Sequence, residues 1–116
     1  YVSGEESAQQ IKMRADRIGI KNQNCLILTE TNTSDIIKHI EETKPDIVII
    51  DSIQTLESSA VDSTAGSISQ IRETAAEMNK VAKSLHIPTF LIGHITRNLS
   101  HWRTFTSSVI SPKTAP

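Results

Sequence analysis

The residues best suited to chemistry in this chain stand where apolar runs stop. Ile47-Val48-Ile49-Ile50 is an uninterrupted β-branched run that ends in Asp51. Such a run suits a strand buried on both faces of a parallel sheet. Asp51 then falls at the carboxyl end of that strand, where open α/β sheets place their ligands. A carboxylate there can hold Mg²⁺ directly or through water, and the metal can bridge to a phosphate. The structural alternative is an acid that ends a strand and caps the next turn. Glu5 and Glu6 follow a second strand-like segment, Tyr1-Val2-Ser3, across Gly4. These acids suit a general base or a metal ligand, or else a charged first turn favoured by the helix dipole. His94 follows Thr89-Phe90-Leu91-Ile92-Gly93. At the tip of a strand beside the Asp51 strand it could sense a bound phosphate; otherwise it is a hydrogen-bonded strand-end residue.

Alternating elements must position these groups. Gly4 permits a sharp bend after Ser3, and Ser3 with Glu6 has the spacing of a capping box. Ile11, Ala15 and Ile18 give a helix over about 8–18 an apolar stripe, with Lys12, Arg14 and Arg17 on the wetter side and Gly19 as its stop. Residues 24–29 read as a second buried strand that takes in Cys25 as a small core residue. A helix follows over about 34–43, with Ile36, Ile37 and Ile40 inward, Glu41 and Glu42 solvated and His39 exposed. Pro45 closes it and opens the Asp51 strand. Residues 52–66 form a long polar stretch with little to bury, the kind of loop that is functional or mobile. Ser67 and Gln70 have capping-box spacing, and Ile68, Ile71, Ala75, Met78, Ala82 and Leu85 recur at helical intervals as a core face. Strands alternating with helices predict an α/β fold with right-handed crossovers and a parallel sheet flanked by helices.

The 116 residues suit one domain, and 37% hydrophobic content supports a modest core. A net charge of −1 offers no global electrostatic argument for nucleic acid, and 3% aromatic content leaves no stacking platform for single strands. The single cysteine excludes an internal disulfide and a CxxC zinc site. No apolar run approaches a membrane span and no signal peptide is visible, so the reading is cytoplasmic. From residue 97 the periodicity is lost, and Ser111-Pro112-Lys113-Thr114-Ala115-Pro116 reads as a disordered terminus.

Four stretches together resemble the RadA/Sms family of bacterial DNA-repair ATPases, which have a RecA-like core. They are Tyr1-Val2-Ser3-Gly4-Glu5-Glu6-Ser7, then Asp46 through Thr55, then Gly66-Ser67-Ile68-Ser69-Gln70-Ile71-Arg72-Glu73, and Gly93-His94-Ile95-Thr96. Their order and spacing carry the resemblance, which covers roughly residues 1–96 and leaves 97–116 as a divergent, disordered tail. The resemblance implies that Asp51 is the acid that helps coordinate Mg²⁺ for ATP, with Ser52 supporting it. It implies that Glu5 polarises the attacking water and that His94 senses the γ-phosphate. It also implies that the loop after Asp51 faces the central channel of a homo-hexameric ring. Such a ring binds single-stranded DNA and recombination intermediates and drives branch migration.

The chain departs from the family pattern in several places. No GxxxxGK segment followed by Ser or Thr occurs, so the backbone cradle and lysine for the phosphates are missing from these residues. The four-cysteine zinc module, the Lys-Asn-Arg-Phe-Gly motif and the protease-like domain are also absent. A truncated or frame-shifted gene fragment would explain this, and the chain by itself would then be an inactive α/β remnant or scaffold. A phospho-acceptor receiver domain also places an Asp at a strand end. Against it stand Ser-Ile-Gln-Thr in place of a Met-Pro turn after Asp51, the length of the loop to Gly66, and the lack of a strand-end lysine after His94.

Overall fold

The computed structural model describes residues 1–94 and the backbone of 108–110. The chain order is β1 (Val2–Ser3), α1 (Ala8–Ile18), β2 (Leu28–Thr29), α2 (Thr33–Thr43), β3 (Val48–Asp51), a 3₁₀ turn (Ile53–Thr55), α3 (Ile68–Leu85), β4 (Thr89–Ile92) and β5 (Ser108–Ile110). The strands form one sheet in the order β2-β1-β3-β4-β5. The first four run parallel, with Ser3 opposite Asp51 and Asp51 opposite Ile92. This is the α/β architecture expected from the alternation of elements. β5 pairs antiparallel with β4, so part of the segment expected to be an unstructured tail extends the sheet. The rest of 95–116, with Trp102 and Phe105, lies outside the described residues.

The core lies where α2 and α3 meet the sheet. Val48, Ile50 and Leu91 from the strands are buried with Ile36 and Ile40 of α2 and Ile71 and Met78 of α3. Burial along β3 and β4 alternates: Val48 and Ile50 are buried while Ile49 is half-buried, and Leu91 is buried while Phe90 is exposed. The apolar run of β3 is therefore not sealed on both faces, and Ile47 before it is 54% exposed. The side-chain period of 2 decides which residues reach the helices.

Helix ends follow local chemistry. α1 starts at Ser7, whose hydroxyl accepts from Gln10 N–H while the Gln10 side chain accepts from Ser7 N–H. The box expected at Ser3 and Glu6 is only half made. Ser3 Oγ accepts from Glu6 N–H at 3.0 Å, but the Glu6 carboxylate pairs with Arg14 instead of turning back. The α1 stripe is shallow: no residue of the helix is buried, and Ile18 is 67% exposed. Gly19 stops α1 in the left-handed region at φ 86°, as its position predicts. α2 is capped by the Asn32 side chain, which accepts from Ser34 and Asp35 N–H, and His39, Glu41 and Glu42 are exposed as expected.

Two expectations about burial are corrected. The strand expected over 24–29 pairs only at Leu28 and Thr29, on the edge of the sheet, and Cys25 is exposed rather than in the core. Residues 52–66 were expected to bury little, yet Ile53, Leu56 and Ser58 are buried. Gln70 explains the order of this loop. Its side chain accepts from Ser58 N–H at 2.9 Å and donates to the carbonyls of Ser58, Val61 and Ser63 at 3.2, 3.2 and 2.9 Å. Ser67 Oγ accepts from Gln70 N–H, but the reciprocal half of the box is given up to the loop. Gln70 and Thr74 thereby occupy buried positions on α3, while Ile68 at its start is exposed. A buried amide is tolerated where its polar atoms are partnered.

Candidate functional site

The carboxyl ends of β1, β3 and β4 lie side by side, because parallel pairing brings Ser3 and Ile92 into register with Asp51. The Asp51 carboxylate is engaged on both oxygens. Tyr1 donates its phenolic O–H to Oδ2, and His94 Nε2 stands 3.3 Å from Oδ1. Burial first, then this bond and the Asp51 charge, push the Tyr1 phenol up to about 12. The backbone is tied at the same point, since Gly4 N–H donates to the Asp51 carbonyl at 3.1 Å. The Asp51–Ser52 peptide is cis. Ser52 is buried, and its Oγ has no hydrogen-bond partner among the described residues.

Gly4 is required by a close approach. A Cβ there would land on Thr55 Oγ1 and stand 2.5 Å from Thr55 Cβ. Thr55 is held in turn, its Oγ1 donating to the Ser52 carbonyl at 2.7 Å. The 3₁₀ turn after β3 therefore packs directly on the bend after β1.

Glu5 sits on that bend, and its side chain is bonded to neither Asp51 nor His94. It is exposed and makes no hydrogen bond or ion pair among the described residues. It opens instead onto a cleft of about 350 Å³ with Ser3, Glu6, Thr29, Glu30 and Thr31. The backbone N–H groups of Asn32 and Thr31 donate to the Glu30 carboxylate and hold it below the usual range. Sequence reasoning placed Glu5, Asp51, Ser52 and His94 in one site, and the structure joins Asp51 to His94 and to Ser52. It did not single out the side chains of Tyr1 or Gln54. Gln54 grips the backbone of His94, its Nε2 donating to His94 O at 2.7 Å and its Oε1 accepting from His94 N–H at 3.3 Å. Neither contact leaves a local sequence signal, because both join residues 40 or more apart in the chain.

Among the described residues, no group of three His, Cys, Asp or Glu side chains converges as a metal cage. Mg²⁺ does not need one, since it keeps several waters and takes one or two carboxylates together with substrate phosphates. Asp51 fits that role, with the unpartnered Ser52 hydroxyl beside it. The chain's residues thus fit the metal side of a nucleotide site, whereas a phosphate cradle is not encoded in them. Among the described residues no helix is long and apolar enough to cross a membrane.

The fold is thus an α/β sheet with an acid and a histidine paired at neighbouring strand ends. The chain is 48% identical to the DNA repair protein RadA of Bacillus subtilis over 97 residues, covering 84% of this chain and 21% of that protein. It is 43% identical to the DNA repair protein RadA of Aquifex aeolicus, covering 84% of this chain and 22% of that protein. Against the protein of the same name from Chlamydia muridarum it is 47% identical over 98 residues, again 84% of this chain and 22% of that protein. No protein-family model matches the chain. The chain belongs to the RadA family of DNA repair proteins, and it spans about a fifth of the length of the curated relatives it matches.

Proposed function

We propose that this chain supplies the acid-bearing part of an ATP-dependent DNA-repair motor. In this reading Asp51 would hold Mg²⁺ for ATP, with Ser52 supporting it. His94 senses the γ-phosphate, and Glu5 polarises the attacking water. When bound there, the cation would supply charge neutralisation for phosphoryl transfer. The complete protein assembles as a homo-hexamer in the cytoplasm, binds single-stranded DNA and recombination intermediates through the 52–66 loop, and drives branch migration. The observation that carries the reading is the pairing of Asp51 with His94 at adjacent strand ends, 3.3 Å apart, in a chain 48% identical to RadA proteins. The contact puts His94 beside the acid proposed to hold the metal, which supports the reading.

A second reading applies to the 116 residues by themselves: a non-catalytic α/β segment. Two observations favour it: these residues encode no phosphate cradle, and Glu5 is bonded to neither Asp51 nor His94. Calorimetry with Mg-ATP tests both readings. The expected result is no binding by this chain, and binding by the same chain extended upstream with a GxxxxGK-containing segment. In the extended chain Glu5→Gln preserves binding and abolishes hydrolysis. Absence of binding by both proteins would overturn the motor reading, and tight binding by the short chain would overturn the second.

A further inference from the structure

We infer that Gln54 is a positioning residue whose side-chain amide takes the place of a strand partner for His94 on the β3 side and so aims the imidazole at Asp51. The ladder between β3 and β4 ends with Asp51 opposite Ile92. Beyond that point the chain leaves β3 for Ser52 and the 3₁₀ turn, so on the β3 side Gly93 and His94 have no strand neighbour among the described residues. The Gln54 amide offers the donor and acceptor of a peptide group, and it uses both on one residue, donating to His94 O at 2.7 Å and accepting from His94 N–H at 3.3 Å. This is the double exchange that two directly opposed residues make in an antiparallel ladder, supplied here by a side chain.

The base of Gln54 is fixed. The 3₁₀ turn closes through Thr55 N–H to Ser52 O at 3.1 Å, and buried Ile53 anchors it beneath. The His94 side chain, by contrast, is 57% exposed, so packing cannot orient it. Among the described residues its direction follows from its backbone and from the contact with Asp51. Fixing the backbone removes the freedom that would otherwise weaken that contact. Gln54 also ties the sensor to the segment that opens the 52–66 loop.

The sensing role rests on the ATP-site reading above, but the geometry is tested without nucleotide. The probe is ¹⁵N NMR of the 116-residue chain, read at the His94 amide and at its imidazole Nε2. In the wild type the His94 amide exchanges slowly with solvent. Gln54→Ala speeds that exchange at least tenfold and moves the Nε2 resonance to where Asp51→Asn places it. Gln54→Glu keeps an acceptor and retains the protected amide. Amides of Ile50 and Leu91 stay protected in every variant, reporting an intact sheet. The inference is overturned if Gln54→Ala leaves the His94 amide unchanged, or frees the amide while the Nε2 resonance stays put. Loss of protection at Ile50 and Leu91 would also overturn it, since Gln54 would then hold the sheet rather than the histidine. A negative Mg-ATP titration leaves these signals untouched, so the two readings fail separately.

Discussion

Tyr1 and His94 hold the two oxygens of Asp51 from opposite neighbours, the phenol from the β1 side and the imidazole from the end of β4. The carboxylate is therefore already partnered, and a cation arriving there must share or displace one of these contacts. Water-mediated Mg²⁺ contact meets that demand more easily than direct coordination, since it leaves the existing bonds in place.

The Tyr1 phenol reports this arrangement. Its proton is held in the folded chain until about 12, against 10.0 for the ordinary group. Between these values the unfolded chain binds fewer protons than the native one, so stability is complete below pH 10 and declines as pH rises toward 12. Absorbance at the tyrosinate band is unambiguous because the chain has one tyrosine. Asp51→Asn removes the charge and lowers the midpoint part of the way, leaving the contribution of burial, which is the largest. An unmoved midpoint would show that the phenol does not touch Asp51.

Gly4→Ala is expected to destabilise the chain by about 1–3 kcal/mol, the usual cost of overpacking. The added methyl meets the β-branched centre of Thr55, at 2.5 Å from Cβ, not a flexible tip. Thr55→Ala in the same chain removes the Oγ1 and Cγ2 contacts but leaves the Cβ contact, and restores part of the loss. Chemical denaturation of the single and double variants measures both effects. Additive losses would mean that the two residues do not meet.

Gln70→Ala uncouples the loop from α3. It leaves the buried Ser58 N–H without its acceptor, a loss of roughly 1–3 kcal/mol for an unsatisfied buried group. The Val61 and Ser63 carbonyls lose their donor at the same time. Limited proteolysis is expected to move into residues 58–66 at denaturant concentrations where the sheet survives. Cleavage elsewhere first would place the weak point outside the loop.

Cys25 in the native chain is expected to react with a thiol reagent to one equivalent at the rate of an exposed cysteine, with no unfolding needed. A rate that rises only with denaturant would return the residue to the core.

The alternation of strands and helices was legible because it rests on local periodicity: β1, α1, α2, β3, α3 and β4 fall where apolar spacing and caps put them. That His94 ends a strand beside the Asp51 strand was legible for a related reason; that the two side chains meet was not. Cys25 misled because an apolar run at a sheet edge has the same composition as one inside it. Gln70 misled because capping-box spacing fixes where a glutamine sits, not which of two sets of backbone partners it takes. Tyr1 and Gln54 act across long stretches of chain, and no window of sequence contains both ends of their bonds.

The grip of Gln70 on the loop is made entirely through main-chain atoms: one N–H and three carbonyls. Such a hold is blind to side-chain identity. The exposed positions Ser59, Ala60, Asp62, Thr64 and Ala65 carry no part of it. The segment behaves as a cassette with a fixed socket, in which the displayed surface can be rewritten, charge by charge, while the sheet and its acid stay where they are.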